Sequence, residues 1–576
     1  MMRTRPPLQG SFGAVASTHW LASSSGMAVL ERGGNAADAA VAAGFALHVV
    51  EPHLNGPGGD LPAIVRVPGS EPRVLCGQGV TPAAATLERM RAEGVEHIPG
   101  TGLLAAVVPG AVPAWLTLLR DHGTWAPADV LELAIDLADR GHRVLPRVAR
   151  TIAGRADYFR EHWPASAELW ADPAPDEWSV VRNPRLAQTY RRLADAGRGK
   201  LREAACDAAI AAWSEGFVAE AIDRHSRESA MDSSGAAHAG LLTGDDLAAW
   251  RPSWEPTVSM PWRGTTVHKA GAWTQGPALL AALGILDPLL PERAERHDAD
   301  LVHVAAEATK LAFADRDAWF GDDADIDRLL DPAYLEERRA LIGEEASLEL
   351  RPGPLRGQPR MPLVEAAAAP GATTPRAGTG EPTRGDTCHI DVVDKDGMVV
   401  SATPSGGWLQ SSPTIAELGF CLGTRAQMLW LEPGLPTSLA PRIRPRTTLS
   451  PTMLVDDGQV AALGTPGGDQ QDQWQLTMLL GLRVLGLDAQ AAIDAPSWHI
   501  THLVSSFEPR VWEPGGLHVE SRLGEATIAE LRRRGHAVTD AGPWSLGRLS
   551  FASHEPDGTI RAASNARDEQ GYAALR

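Results

Sequence analysis

Residues 385–389 read Gly-Asp-Thr-Cys-His, and the threonine among them sits where a side chain could do chemistry. It follows a long stretch of Pro, Gly, Ala and Thr and opens an alternating segment that reads as a strand. A hydroxyl at the first position of a strand can attack the carbonyl of its own preceding residue. Hydrolysis of the resulting ester cuts the chain between Asp386 and Thr387. Thr387 then carries a free α-amine beside its hydroxyl. Such an amine has an ordinary pKa of about 8 and can act as a general base near neutral pH. An N-terminal threonine is therefore nucleophile and base in one residue. The competing reading is structural, because threonine opens many strands for its shape alone. Cys388 and His389 follow directly, but neighbours along a strand point to opposite faces and do not form a hydrogen-bonded pair. A metal set of Cys388, His389 and Cys421 lacks the spacing of a zinc site. No G-x-S-x-G elbow, P-loop, H-E-x-x-H or G-x-G-x-x-G before a helix is present, so no cofactor is expected.

The elements around this residue must position it. TCHIDVVDKDGMVVSAT (387–403) alternates about a D-x-D-G-type turn and predicts a β-hairpin. LSPTMLVDDGQVAALGTPGGD (449–469) predicts a second hairpin ending in Gly467-Gly468, with a helix directly after it. Upstream, Asn35 is a candidate N-cap and Asp38 falls in the first turn of a helix over 36–50. That helix is small or apolar nearly all round, so it reads as buried. Pro52 stops it, the loop Asn55-Gly56-Pro57-Gly58-Gly59-Asp60 turns sharply, and LPAIVRV reads as a strand. PADVLELAIDLADRG and residues 298–323 have helical spacing. Residues 351–386 hold few large apolar side chains and read as a flexible tether. The chain thus divides into a helix-rich region, 1–386, and a region 387–576 opened by the threonine, the two forming one structural unit. Strands with helices on their outer faces predict an α/β sandwich rather than a parallel βαβ sheet.

Composition sets the class. The chain has 576 residues, 44% apolar and 22% charged, with a formal net charge of −19. That is globular and large enough for an ample core. The acidic balance disfavours nucleic acid as a partner. Four cysteines in so long a chain do not make a disulfide scaffold. The first residues carry basic side chains but no apolar h-region, and no stretch is long and apolar enough to span a membrane. The expectation is a cytoplasmic location, with no membrane partner.

GGNAADAAVAA…EPHLNGPGGD, EATKLAFADRDAWFGDD, DTCHIDVVDKDG, RPRTTLSPT and GTPGGD occur in this order. Together they resemble the gamma-glutamyltransferase family of N-terminal-nucleophile hydrolases, from about Val15 to the ASNAR stretch at 563–567. The resemblance implies a precursor that cleaves itself before Thr387. It implies a large and a small fragment that stay together in a four-layer αββα sandwich, with pairing of two such heterodimers left open. It also implies Ser405 as a second hydroxyl touching the nucleophile, and the amides of Gly467 and Gly468 as the oxyanion hole, where no side chain obstructs the approach. Thr447 and Thr448 would contact a substrate carboxylate.

Three positions depart from the family pattern. Gln78, in Gly77-Gln78-Gly79-Val80-Thr81-Pro82, stands where an arginine normally holds the glutamyl α-carboxylate. Arg425 and Met428 stand where an acidic side chain and its polar neighbours normally hold the α-amine. The asparagine expected near the nucleophile falls at Gly407 or Trp408. A zwitterionic head needs both a cation and an anion, because unpaired buried charge is costly. The family's activity is cleavage of a γ-glutamyl amide by hydrolysis, with transfer to an amine acceptor as a further expectation. Arg425 with Thr447 and Thr448 would instead suit a plain carboxylate on a small acyl amide, such as an oxamate-like acid or a β-lactam side chain. A catalytically idle fold serving as a binding protein is the reading from another class. An asparaginase-type threonine enzyme also places Asp before Thr, but Cys388-His389 does not fit its pattern. Trp408 and Trp474 flank the site motifs and could form an apolar wall.

Overall fold

The computed structural model describes residues 3–367, 386–567 and 571–576. The helix expected after Asn35 runs Ala36–Val50, and its start explains itself. The Asn35 side chain accepts from the Asp38 amide at 3.1 Å and the Asp38 carboxylate accepts from the Asn35 amide at 2.9 Å, a reciprocal cap. All fifteen of its residues are buried. Its alanines and Gly44 allow close packing; a Cβ on Gly44 would lie 2.4 Å from the Trp115 ring. The Ala36 amide donates to Asp394 at 2.9 Å, which ties the helix N-terminus to the turn of the hairpin that Thr387 opens.

Two seven-stranded sheets carry the chain, each antiparallel throughout. The first runs, edge to edge, Tyr572–Leu575, Gly13–Ser17, Ile390–Asp394, Val399–Ala402, Leu61–Arg66, Arg73–Gly77 and Ser253–Pro256. The second runs Leu8–Gly10, Ile560–Ser564, Ser550–His554, Gln459–Gly464, Thr452–Asp456, Thr265–Lys269 and Val258–Trp262. Both expected hairpins are present, and in each sheet strands from before and after residue 387 lie side by side.

Strand alternation sorts the side chains. Ala14, Ile64, Val393 and Val399 of the first sheet meet Met453, Val460, Ala462 and Ala552 of the second in one apolar cluster. The opposite face of the first sheet, with Ile390, Val392 and Val400, packs on Ala36–Val50 and Ala111–His122. The opposite face of the second, with Leu454, Ala461 and Leu463, packs on Gly276–Leu286, Ala299–Trp319 and Gln471–Arg483. Among the described residues no helix is long and apolar enough to cross a membrane.

The segment expected to be a flexible tether from residue 351 is held at its start. The Gly353 amide donates to Asp315 at 2.6 Å, Trp319 donates to the Gly353 carbonyl at 2.8 Å, and Leu355 is fully buried. Sparse apolar composition hid these anchors, because one leucine and a buried carboxylate acceptor suffice to fix a short run. Residues 368–385 of the expected tether lie outside the described residues.

A buried ion pair locks the second sheet to its helix. Lys269 meets Asp472 at 2.8 Å with both side chains fully buried, and Lys269 also donates to Thr452 at 2.6 Å. Burial pulls the Lys269 ammonium down and Asp472 pulls it back up. Lys269→Met leaves Asp472 unpaired in the interior and should lower the unfolding free energy by about 3–5 kcal/mol. The double change Lys269→Met with Asp472→Leu should cost less than the single one. Denaturant titration of the three proteins checks both.

Candidate active site

Thr387 lies just ahead of the strand Ile390–Asp394 and is 2% exposed. It forms an antiparallel bridge with Ser405, and Ser405 forms another with Asp60. The glycines of the 55–60 loop permit this approach: a Cβ on Gly59 would sit 2.1 Å from the Ser405 carbonyl oxygen, and one on Gly58 2.1 Å from that of Cys421.

The hydroxyls then line up. Thr387 Oγ1 donates to Ser405 Oγ at 3.3 Å, and Ser405 Oγ donates to the Asp386 carbonyl oxygen at 2.8 Å. That carbonyl belongs to the peptide bond preceding Thr387, so the chain of donors ends on the bond the threonine could attack. Gln471, at the start of the helix after the glycine pair, reaches Thr387 Oγ1 with Nε2 at 3.5 Å, while its Oε1 accepts from the Ser450 amide at 3.0 Å.

Electrostatics centre on Asp386. Arg548 grips its carboxylate with both terminal nitrogens, at 2.5 and 2.9 Å, and Arg147 adds a third contact at 2.5 Å. The Thr387 amide donates to the same carboxylate at 2.9 Å. Burial pushes the Asp386 pKa up, but Arg548 and Arg147 outweigh it and hold the group down to about 2. The Arg548 amide donates to Thr465 Oγ1 at 3.2 Å, so the clamp is anchored two residues before Gly467.

Gly467 and Gly468 have φ of +128° and +57°, backbone that side chains seldom adopt. A Cβ on Gly467 would also strike the Trp474 ring at 2.2 Å. Cys388 and His389 point to opposite faces. Cys388 Sγ donates to Glu51 at 3.2 Å on the helical side, whereas His389 contacts Thr403 at 2.9 Å and Asp391 at 2.8 Å between the sheets. Thr18 also donates to Glu51, whose carboxyl burial pushes up.

The expected specificity residues are distributed unevenly. Gln78 is fully buried, and its Nε2 makes only a long contact to its neighbour's carbonyl, at 3.4 Å. Thr447 and Thr448 are fully buried, and among the described residues the Thr448 hydroxyl has no partner. Trp408 donates to the Leu54 carbonyl at 2.7 Å and packs with Met428 and Phe507. Arg425, expected as a cation for substrate, donates through Nε to Asp60 at 2.8 Å. Both side chains are almost wholly buried, so the guanidinium is paired with a carboxylate of the chain itself, while its Nη2 has no hydrogen-bond partner among the described residues. Asp60, Gln471, Arg147 and Arg548 escape sequence reasoning. Asp60 closes the glycine-rich loop and Gln471 follows the glycine pair, so position could have flagged both; the two arginines carry no local signal.

The metal-capable group among the described residues is His303, Glu307 and His536, none of which is a residue of the site above. Glu307 is already paired with Lys310 at 2.7 Å and Arg351 at 3.0 Å, and those two cations oppose a third.

The family model described as gamma-glutamyltranspeptidase matches residues 22–575. The oxamate amidohydrolase proenzyme of Klebsiella pneumoniae subsp. pneumoniae is 32% identical over 98% of this chain and 98% of its own. The solved structure of LmbA2991HD is 51% identical, covers all of both chains and has a TM-score of 0.94. The cephalosporin acylase from Bacillus halodurans is 27% identical, with 100% and 97% coverage and a TM-score of 0.82.

The clamp on Asp386 is testable. Arg548→Leu and Asp386→Asn should each slow cleavage before Thr387 at least tenfold, read as a time course on a denaturing gel. Because the folded pKa of Asp386 lies below its ordinary value near 3.8, its stabilisation is complete above about pH 4 and is lost as pH falls towards 2.

Proposed function

Because the chain belongs to the gamma-glutamyltranspeptidase family, we propose that it is a self-processing amidohydrolase whose mature nucleophile is Thr387. The two stacked sheets with helices on their outer faces are, in this reading, the αββα sandwich of N-terminal-nucleophile hydrolases, formed by two fragments of one chain.

Processing comes first. Thr387 Oγ1 attacks the Asp386 carbonyl carbon; its proton passes to Ser405 Oγ as Ser405 hands its own hydroxyl proton to the carbonyl oxygen, which then supplies the proton the threonine nitrogen takes. The C–N bond breaks, the threonine nitrogen takes a proton and becomes an amine, and an ester links Asp386 to Thr387. Water hydrolyses that ester. In the mature form the α-amine accepts the proton of Thr387 Oγ1 as the hydroxyl attacks an amide substrate. The amides of Gly467 and Gly468 hold the oxyanion, the protonated amine product leaves, and water or an amine acceptor releases the acyl group.

The substrate we infer is a small acyl amide without the γ-glutamyl α-amine. The observation that carries this is the Arg425–Asp60 pair together with Gln78: the cation at the altered position is already neutralised, and an uncharged amide fills the position of the family's arginine. A buried zwitterion would find neither partner there. The names of two relatives, an oxamate amidohydrolase and a cephalosporin acylase, support the same direction.

Purified protein should run as fragments of ~40 and ~20 kDa that share the 61.2 kDa of the chain, the smaller beginning Thr-Cys-His-Ile. Thr387→Ala should stay uncut and inactive; an uncut wild type would favour the idle binding fold. Against a panel of 4-nitroanilides, kcat/KM for the γ-glutamyl compound should be at least tenfold below that for glutaryl, which lacks only the α-amine. Turnover confined to the γ-glutamyl compound would overturn the substrate assignment.

A further inference from the structure

A small cavity is lined by Arg446, Arg510, Ser506, Asp317, Met428 and Trp430. Arg446 directly precedes Thr447 and Thr448, and Ser506 connects it to the residue after Gly468. Arg446 Nη2 donates to Ser506 Oγ at 2.9 Å, and Ser506 Oγ donates to Asp469 at 2.6 Å.

Charged side chains crowd together here, and not all of their N–H groups are used. Arg316 sits between Asp317, at 2.7 Å, and Asp469, at 2.5 Å, and so engages both carboxylates. Asp469 also accepts from the Ser506 amide and Asp317 from the Val504 amide. Three buried guanidiniums, Arg316, Arg446 and Arg510, therefore share two buried carboxylates. Arg446 is 6% exposed and Arg510 is 5% exposed. Among the described residues Arg446 Nη1 and Arg510 Nε have no hydrogen-bond partner. Arg510 otherwise donates to the Leu429 carbonyl at 2.5 Å and lies over the Trp430 ring at 4.0 Å. Burial and mutual repulsion bring Arg446 down to about 10 and Arg510 to about 9, which still leaves both charged at neutral pH; the part-exposed Glu508 pulls Arg510 the other way. Buried guanidinium N–H groups without acceptors are costly unless a ligand completes them.

We propose that Arg446 and Arg510 form the subsite for a carboxylate carried by the amide substrate, replacing the cation absent at Gln78. This rests on the amidohydrolase reading above and adds the residues that select its substrate. A carboxylate is planar, and its oxygens can accept from guanidinium N–H groups that have no acceptor among the described residues. The cavity holds about 10 Å³, the space of one water-sized group. It therefore admits the oxygen end of a carboxylate rather than a whole acyl chain. No carboxylate is left over in the pocket for an α-amine, consistent with a substrate that has none.

The test uses the full-length processed protein and two substrate pairs. Glutaryl- against butyryl-4-nitroanilide places the carboxylate on the acyl side. Butyryl-3-carboxy-4-nitroanilide against the same butyryl reference places it on the amine side. Wild type should favour the carboxylate member of one pair at least tenfold in kcat/KM, and the pair that responds assigns the side. In Arg446→Gln and Arg510→Gln that preference should fall at least tenfold, with Arg446→Lys restoring part of it. The two fragments on a gel report that each variant folds; should the glutamine variants fail to process, the lysine variants should still lose three- to tenfold. Calorimetric titration with glutarate reads the pocket without turnover: affinity should drop at least tenfold in the Arg446→Gln, Arg510→Gln double variant. If no amide is turned over but glutarate binding depends on these arginines, the amidohydrolase reading fails and the subsite stands. Substrate preference and glutarate affinity that ignore both arginines overturn the proposal.

Discussion

The pairing of Ser405 with Asp60 sets the register on which the site depends. Their backbones exchange hydrogen bonds at 2.7 and 3.1 Å. Ser405 is thereby fixed between the glycine-rich loop on one side and Thr387 on the other, and a slip of one residue would turn its hydroxyl to the opposite face. The same Asp60 neutralises Arg425 through its side chain. One short contact thus aligns the second hydroxyl and removes a cation from the space around it. Gly58 and Gly59 make it possible because no side chain could stand where neighbouring carbonyl oxygens already are.

Charge is treated strictly throughout this interior. Asp386 has two arginines, Lys269 has Asp472, and Arg425 has Asp60. Each pairing offsets a desolvation cost that neither partner could bear alone. Against that background Arg446 and Arg510 stand apart, since each keeps a buried N–H group with no acceptor among the described residues. Arg446 also lies within one hydrogen-bond chain of the residue following the glycine pair.

How much of this was legible in the sequence follows from range. Asn35, Asp38 and Gly44 announce a buried, capped helix because capping and close packing are local or periodic. The hairpins at 387–403 and 449–469 were readable for the same reason: alternation and turn residues lie within a few positions. The family resemblance brought Thr387, Ser405 and the glycine pair forward together. Arg548 and Arg147 remained hidden because they meet Asp386 from 162 and 239 positions away. Arg425 shows its charge in the sequence but not its partner, Asp60, 365 residues distant. Arg446 gives no local signal, because its contact, Ser506, lies 60 residues away. The segment after 351 looked loose because composition cannot register a single buried leucine, Leu355, seated on the body.

The interleaving of strands has a consequence for the history of the molecule. Ile390–Asp394 is hydrogen-bonded to Gly13–Ser17, and Val399–Ala402 to Leu61–Arg66, so the two halves are woven and not merely docked. Neither half can complete a sheet alone, and each would present raw β edges of the kind that aggregate. Severing the backbone early would strand both pieces. If the chain opens before Thr387 as proposed, it must be finished as an object first, and the late arrival of the amine would make assembly itself the safety catch on catalysis.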